Sequence, residues 1–330
     1  MLVPWLVAIA LMGCGEAPTT VEAPASGDDG PHAHELFAVN DQPISPSAQV
    51  VLVAGSSEGA SFAQEVVDQR QLWLDAGVPP EAIACYYVVP YEEELVEDRA
   101  QYEALAAQLA SCHRASVHRL RHDLTAIAEQ PEPPEHLYLF VTSHGERPAT
   151  DDLAEMSITD AGYWRVRRYT RFEPLNKHRL MIEGLPDGTA GPAQLLGAYR
   201  GGMDPDDVFL TPGGLARTLA AFPPETVKTV VLQGCYSGGF AVPGGPTAQV
   251  PSLTLLAASQ PDRPSFGCDT GRTTTYYGGA LNRLLAQRAR PPEHIDWEAV
   301  HGEVSSAVTA LEADEQEEPS LPMLLRTPKP

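Results

Sequence analysis

The chain has 330 residues, of which 43% are apolar, and this is enough for one large α/β domain with a packed core. It carries 44 acidic against 22 basic side chains, for a formal net charge of -22. A charge this negative argues against a nucleic-acid backbone or an anionic lipid surface as a binding partner.

The first 14 residues, MLVPWLVAIALMGC, form an apolar stretch that is too short to span a bilayer as a helix. Its last four residues, LMGC, resemble a bacterial lipobox, in which the cysteine is lipidated and the preceding signal peptide is removed. Residues 15–48 are rich in proline, alanine, glycine and acidic side chains, which predicts a flexible linker. We expect an exported chain that a lipid on Cys14 holds at the periplasmic or outer side of a bacterial membrane; an ordinary signal peptide is the alternative.

From residue 49 onward, short apolar runs alternate with helical segments. Runs rich in β-branched and aromatic residues predict five buried strands, at 49–54, 82–89, 135–142, 227–233 and 252–259. Apolar spacing, composition and capping residues predict five helices, at 60–76, 92–128, 211–222, 273–289 and 296–312. This alternation is typical of an α/β fold with a mostly parallel central sheet, and it predicts a single domain over 49–312.

Two segments depart from the alternation. Residues 146–208 contain two stretches that look like short strands, SITDAGYWRVRRYTRF and KHRLMIEG, followed by a turn-rich stretch. We interpret them as an insertion into the domain. Residues 313–330 are first acidic and then rich in proline, and we interpret them as a solvating tail.

Two predicted strands end in chemically reactive side chains: 135–142 runs into Ser-His144-Gly145, and 227–233 runs into Gly-Cys235. Ligands of open parallel sheets bind outside the carboxyl ends of the strands, so His144 and Cys235 are expected to face each other if these strands are neighbours. Cys235 would then be the nucleophile of a covalent acyl transfer and His144 its general acid and base. The backbone N–H groups of Gly145 and Cys235 would stabilise the oxyanion.

Each residue of this dyad also has a structural interpretation. A histidine at a strand end is more often structural, and a cysteine after an apolar strand is usually a small buried hydrophobe. Four cysteines remain if Cys14 carries a lipid, and in an exported chain they can form two disulfides whose pairing the sequence leaves open. A bridge between Cys235 and Cys268 would abolish the chemistry. The other two cysteines of this set are Cys85 and Cys112.

Four motifs resemble those of the legumain-like cysteine peptidases, the family of asparaginyl endopeptidase and of the catalytic subunit of the GPI transamidase. The similar segments are VLVAGSS with the helix after it and DAGVPPEAIACYYV, then LYLFVTSHGE, VVLQGCYSGGF and LAASQPDRPSFGCDTGRTTTYYGGAL. They follow the family's order over about 49–145 and 205–290. The resemblance implies a three-layer, caspase-like α/β fold and a cysteine endopeptidase with His144, Cys235 and the Gly145 N–H in the roles given above.

The residues expected to border the substrate pocket differ from those of asparagine-cleaving members. Gln233 stands where those members have an acidic residue, and Gln-Gly-Cys resembles the Gln-Ala-Cys of caspases. Arg263, Ser265 and Arg272 lie in the segment that borders the pocket. The two arginines would suit an acidic substrate residue, but a surface position in an acidic protein is the favoured alternative for both.

Three functions remain open at this point. The first is a cell-envelope cysteine endopeptidase, the second a transpeptidase that resolves the same acyl-enzyme with an amine, and the third an inactive caspase-like binding or scaffold domain. The presence of both dyad residues favours the first. We expect a peptide or protein substrate and no cofactor. We also expect no metal, because His118 and His122 have metal-ligand spacing but no clear third ligand.

Overall fold

The computed structural model describes residues 48–91, 99–148, 177–187, 189, 194, 197–198, 201–269, 271–315 and 318–330. Cys14, the predicted signal peptide, the linker up to residue 47 and the stretch SITDAGYWRVRRYTRF lie outside them. No helix within these ranges is both long and apolar enough to span a lipid bilayer.

Ten strands and seven α-helices make up the described part of the chain. The strands are β1 (Gln49–Ala54), β2 (Ile83–Tyr87), β3 (His113–Arg114), β4 (His136–Thr142), β5 (Gly145–Glu146), β6 (Arg179–Met181), β7 (Phe209–Leu210), β8 (Val227–Gln233), β9 (Leu253–Ala257) and β10 (Met323–Arg326). The helices are α1 (Ala60–Asp75), α2 (Arg99–Leu109), α3 (Val117–Ala128), α4 (Pro205–Val208), α5 (Pro212–Leu219), α6 (Tyr276–Arg288) and α7 (Trp297–Leu311).

Seven strands form the central sheet, in the order β10-β9-β8-β4-β1-β2-β3. All neighbours are parallel except β10, which pairs antiparallel with β9. The chain is therefore an α/β protein with a mostly parallel sheet, as the sequence predicts. The five predicted strands are all present, as β1, β2, β4, β8 and β9.

Helices cover both faces of the sheet and give the fold its three layers. Alternate residues of β1 point to opposite faces, so Val51 and Val53 join one apolar cluster and Val50 and Leu52 the other. The first cluster includes apolar residues of α3 and α5, and the second includes those of α1, α2, α6 and α7. Because both faces are buried, the strands are continuous apolar runs rather than alternating ones.

The structure corrects two predicted elements. The helix predicted over 92–128 is interrupted, because α2 ends at Leu109 and the side chain of Ser116 caps a new helix by accepting a hydrogen bond from the Arg119 N–H. The tail predicted from 313 is not merely solvating: Met323–Arg326 form β10, which pairs with β9. A strand of four residues is too short to show periodicity, and its pairing partner lies far away in sequence.

The short strands β5, β6 and β7 form a separate antiparallel sheet next to the carboxyl ends of β1 and β4. β6 lies in the segment KHRLMIEG, which the sequence predicts to hold a strand. The Met181 N–H donates to the His144 carbonyl (2.9 Å), and the Glu183 N–H donates to the Gly55 carbonyl (2.8 Å). The described strand of the predicted insertion, β6, therefore packs directly against the ends of the central strands.

A disulfide joins Cys85 in β2 to Cys112, just after α2, across a sequence separation of 27 residues. Closing a loop of this size is expected to stabilise the fold by about 3 kcal/mol. We expect the double substitution Cys85→Ala/Cys112→Ala to lower the free energy of unfolding in urea by about that amount. Wild-type protein unfolded in the same non-reducing buffer is the reference. An unchanged urea midpoint in the variant would contradict this prediction.

Candidate active site

The two dyad residues lie at the same edge of the sheet. β4 and β8 are parallel neighbours in which Thr142 pairs with Gln233, and His144 and Cys235 each follow two residues later. The Ser143 N–H donates to the Gln233 carbonyl (3.1 Å), which continues the pairing beyond the strands. The prediction that these strands are neighbours is confirmed.

Glycines allow the two loops to touch. A Cβ built on Gly145 would lie 1.9 Å from the Cys235 carbonyl oxygen, and one built on Gly234 would lie 2.5 Å from the Ser143 carbonyl oxygen. Any side chain at either position would push the strand ends apart. The backbones after β4 and β8 are therefore in direct contact at the point where the dyad lies.

The imidazole of His144 is held on two sides. Its ring packs edge-on against Phe62 of α1, with ring centroids 5.1 Å apart and an interplanar angle of 88°, and it hydrogen-bonds to the backbone of Glu58. The Nε2 atom is buried and has no hydrogen-bond partner in the part of the chain that the structure describes. The bond to Glu58 therefore involves Nδ1, which must carry the proton to donate to a carbonyl, and Nε2 keeps a lone pair.

Burial dominates the electrostatics of this histidine. Desolvation lowers the pKa of His144 to about 4, and the hydrogen bond to the Glu58 backbone opposes that shift. The imidazole is therefore neutral at neutral pH. A neutral ring with a lone pair on Nε2 is the form that can accept a proton.

Cys235 keeps a partly exposed thiol and takes no part in a disulfide. Its Sγ lies 3.4 Å from the Ser265 N–H nitrogen and 3.5 Å from the Ser265 carbonyl oxygen. The Cys235–Cys268 bridge that would abolish the chemistry is not formed. Cys268 packs, partly buried, against the second apolar cluster.

The residue after the thiol adopts a strained backbone. Tyr236 has φ 58°, in the left-handed region that side chains other than glycine seldom adopt. Its N–H donates to the Arg263 carbonyl (2.9 Å), and a 3₁₀ turn follows at Ser237–Phe240. This reversal places Cys235 at the tip of a sharp turn, and such strain is concentrated at functional sites.

The backbone around Gly145 suits the predicted oxyanion hole. Because the Met181 N–H donates to the His144 carbonyl, Gly145 and Leu180 form a non-hydrogen-bonded pair of the β5–β6 ladder. The N–H of Gly145 therefore points away from β6. The Gly145 nitrogen lies 3.6 Å from a Cβ built on Gly234, the residue that precedes Cys235.

A buried carboxylate holds the loop that positions His144. Glu183, only 1% exposed, accepts hydrogen bonds from the Ser57 N–H (2.9 Å) and the Ser57 hydroxyl (2.8 Å). The Ser56 hydroxyl in turn accepts from the Glu58 N–H (3.1 Å). Glu183 thus connects the segment after β6 to the loop whose Glu58 carbonyl holds the imidazole.

We expect Glu183→Ala to lower the free energy of unfolding by about 1–3 kcal/mol, because it leaves two buried Ser57 donors without an acceptor. Glu183→Gln keeps an acceptor oxygen and is the matched control. Urea unfolding of both variants checks this, and an alanine variant as stable as the glutamine variant would contradict it.

The four predicted pocket residues divide into two groups. Gln233 and Ser265 are buried directly behind the site and are joined by a hydrogen bond of 3.4 Å. The arginines are engaged elsewhere: Arg263 pairs with Glu318 (3.0 Å), and Arg272 pairs with Asp269 (3.3 Å). Neither guanidinium group contacts the Cys235 thiol within the described ranges, so an acidic substrate preference finds no support in these contacts.

Sequence reasoning missed the residues that support the dyad. Phe62, Glu183 and the carbonyl of Glu58 lie far from both motifs in sequence, and no local pattern marks them. His118 and His122 do not belong to a cluster of three or more side chains that could hold a metal ion within the described ranges.

Comparisons with known proteins add little to this picture. No protein-family model matches the chain, and no curated protein matches it. Among solved structures, 88 chains match. One is the crystal structure of protein GSU0716 from Geobacter sulfurreducens, which is 11% identical to this chain with a TM-score of 0.45. The match covers 86% of this chain and 95% of the Geobacter chain. A likeness this distant says nothing about function.

Proposed function

We propose that the chain is a legumain-like cysteine endopeptidase with a caspase-like fold, acting through Cys235 and His144. One observation carries the proposal. His144 lies two residues beyond Thr142, and Cys235 lies two residues beyond its pairing partner Gln233, at the carboxyl edge of adjacent parallel strands. His144 offers a neutral imidazole with a lone pair on Nε2, and Cys235 offers a thiol.

The proposed reaction begins with proton transfer from the Cys235 thiol to His144 Nε2. The thiolate attacks the carbonyl carbon of a peptide bond, and the N–H groups of Gly145 and Cys235 hold the oxyanion that forms. His144 then donates its proton to the departing amine, and the C–N bond breaks to leave a thioester. Water attacks the thioester, His144 takes its proton, and that proton returns to the thiol as the acid product leaves.

No described residue hydrogen-bonds to Nε2, and this is compatible with the mechanism. In enzymes without bound substrate, catalytic hydrogen bonds are often long and tighten only in the complex. Glu58 and Phe62 fix the ring from the other side, so Nε2 is the ring nitrogen left to act.

We also propose that the chain is exported and anchored by a lipid on Cys14. The LMGC motif supports this, and so does the Cys85–Cys112 disulfide, because structural disulfides are rare in the cytosol.

The experiment that tests the peptidase is cleavage of a diverse peptide mixture, read by mass spectrometry, with wild-type protein and Cys235→Ala side by side. We expect new termini with the wild type alone, and their flanking residues define the specificity. Ligated products after addition of an amine would identify a transpeptidase. Intact peptides under all conditions, with retained peptide binding, would favour the inactive binding domain.

A further inference from the structure

Behind the dyad lies a buried chain of polar groups that the proposed mechanism does not use. Its first member is Glu65 of α1, which is fully buried. Glu65 Oε2 lies 2.6 Å from the Thr142 hydroxyl, and that hydroxyl lies 2.8 Å from the side-chain oxygen of Gln233. The Gln233 amide nitrogen lies 3.4 Å from the Ser265 hydroxyl, and the backbone of Ser265 contacts the Cys235 sulfur.

This chain of polar groups connects one carboxyl group to both strands that carry the dyad. Thr142 is the last residue of β4 and Gln233 the last residue of β8. The other carboxyl oxygen, Glu65 Oε1, accepts from the Thr275 N–H (2.7 Å) and from the Thr275 hydroxyl (2.6 Å) at the start of α6. Glu65 is thus anchored at one end and faces the site at the other.

The number of available hydrogens restricts the hydrogen bonds that this chain of polar groups can form. The Thr142 hydroxyl has a single hydrogen, yet it lies between two oxygens, one from Glu65 and one from Gln233. If Glu65 is protonated, it donates to Thr142, Thr142 donates to the Gln233 oxygen, and the Gln233 amide donates to Ser265. If Glu65 is ionised, it accepts from Thr142, and the Gln233 amide must turn over to donate to Thr142 and accept from Ser265.

We propose that Glu65 is a positioning residue whose protonation sets the orientation of the Gln233 amide and the Ser265 hydroxyl. This orientation sets the placement of the Ser265 backbone, whose N–H and carbonyl contact the Cys235 sulfur, and thereby the reactivity of the thiol. The consequence for catalysis depends on the proposed peptidase function, whereas the coupling between Glu65 and the thiol does not. The role is one of positioning, because Glu65 itself does not contact Cys235.

The surroundings of Glu65 favour a proton that exchanges near neutrality. Burial raises the pKa of Glu65 to about 7, while hydrogen bonds from Thr142 and Thr275 act to lower it. Asp68, one turn along α1, raises it further and is the one charged group acting on Glu65 within the described residues. From the other elements packed around it, Glu65 faces Thr142 of β4 and the cap of α6, and Asn282 of α6 donates to its backbone carbonyl (3.4 Å).

The test is the pH dependence of Cys235 alkylation by iodoacetamide in the full chain, followed by mass spectrometry of the Cys235 peptide. We expect the wild-type rate to show an inflection near pH 7 in addition to that of the thiol, with a change of about fivefold, the factor that one net hydrogen bond supplies. Glu65→Gln, which mimics the protonated acid, should lose this inflection. Asp68→Asn is the matched control on the same helix and should keep the inflection at a somewhat lower pH, because Asp68 raises the pKa of Glu65.

Two further measurements test the inference if the Glu65→Gln variant fails to fold. Thr142→Val removes the hydroxyl that links Glu65 to Gln233 and should also abolish the inflection. In the wild type, the infrared band of a protonated buried carboxyl group should be present below and lost above pH 7. Its absence at acidic pH would overturn the inference.

The outcomes separate this inference from the peptidase proposal. Identical alkylation profiles for wild type and Glu65→Gln overturn the role of Glu65 even if peptides are cleaved. A difference between these profiles supports that role even if no peptide is ever cleaved.

Discussion

Cys235→Ala is expected to reduce peptide cleavage to the uncatalysed background, because no other group at this strand edge can form the acyl-enzyme. The nearest serine along the chain is Ser237, which is fully buried and whose Oγ has no hydrogen-bond partner among the described residues. No base is therefore placed to activate it. The measurement is kcat/KM on a peptide that the wild type cleaves.

His144→Ala should cost about a hundred- to ten-thousand-fold in kcat, the range for general acid–base catalysis. The losses in the Cys235→Ala/His144→Ala double variant should not add, because both side chains serve one step. Ser237→Ala is the control and should cleave normally. Wild-type turnover by Cys235→Ala would rule out the proposed nucleophile.

Gly145→Ala is expected to lower kcat/KM by about a hundredfold or more, the cost of displacing a catalytic group by about 1 Å. The added Cβ would lie 1.9 Å from the Cys235 carbonyl oxygen, whereas real Cβ contacts stay beyond 3.0 Å. The ends of β4 and β8 must therefore move apart, and this displaces both the thiol and the Gly145 N–H.

The matched control for this substitution is Gly302→Ala in α7, where an added Cβ meets nothing within 4 Å. It should retain full activity, and alanine in a helix interior should even stabilise the fold. Thermal unfolding of both variants separates a loss of activity from a loss of folding. A Gly145→Ala variant with wild-type kcat/KM would show that the two loops need not be in contact.

The sequence predicts the parts of this molecule that depend on local patterns. The apolar runs of β1, β4 and β8 are long enough to identify buried strands, and the reactive residues stand immediately after two of them. Once the sheet is parallel, strand neighbours bring those residues to one edge. The placement of His144 and Cys235 at one edge of the sheet therefore follows from few assumptions.

The remaining features depend on contacts between distant segments, and no local pattern encodes them. β10 exists because β9 offers an unpaired edge. The contacts of Glu65 with Thr142 and of Glu183 with Ser57 span 77 and 126 residues. The arginine interpretation of the pocket finds no support for a related reason: Arg263 pairs with Glu318, a residue of the segment predicted to be only a solvating tail.

The most direct test of the account is labelling of the folded protein by peptidyl acyloxymethyl ketones that vary at the residue next to the reactive group. Tandem mass spectrometry locates the modified residue. We predict saturable labelling at Cys235 by a subset of the probes, abolished by prior unfolding and strongly reduced in His144→Ala. Absence of labelling at Cys235 by every probe, or equal labelling of folded and unfolded protein, would contradict the assignment of Cys235 as the nucleophile of a peptidase.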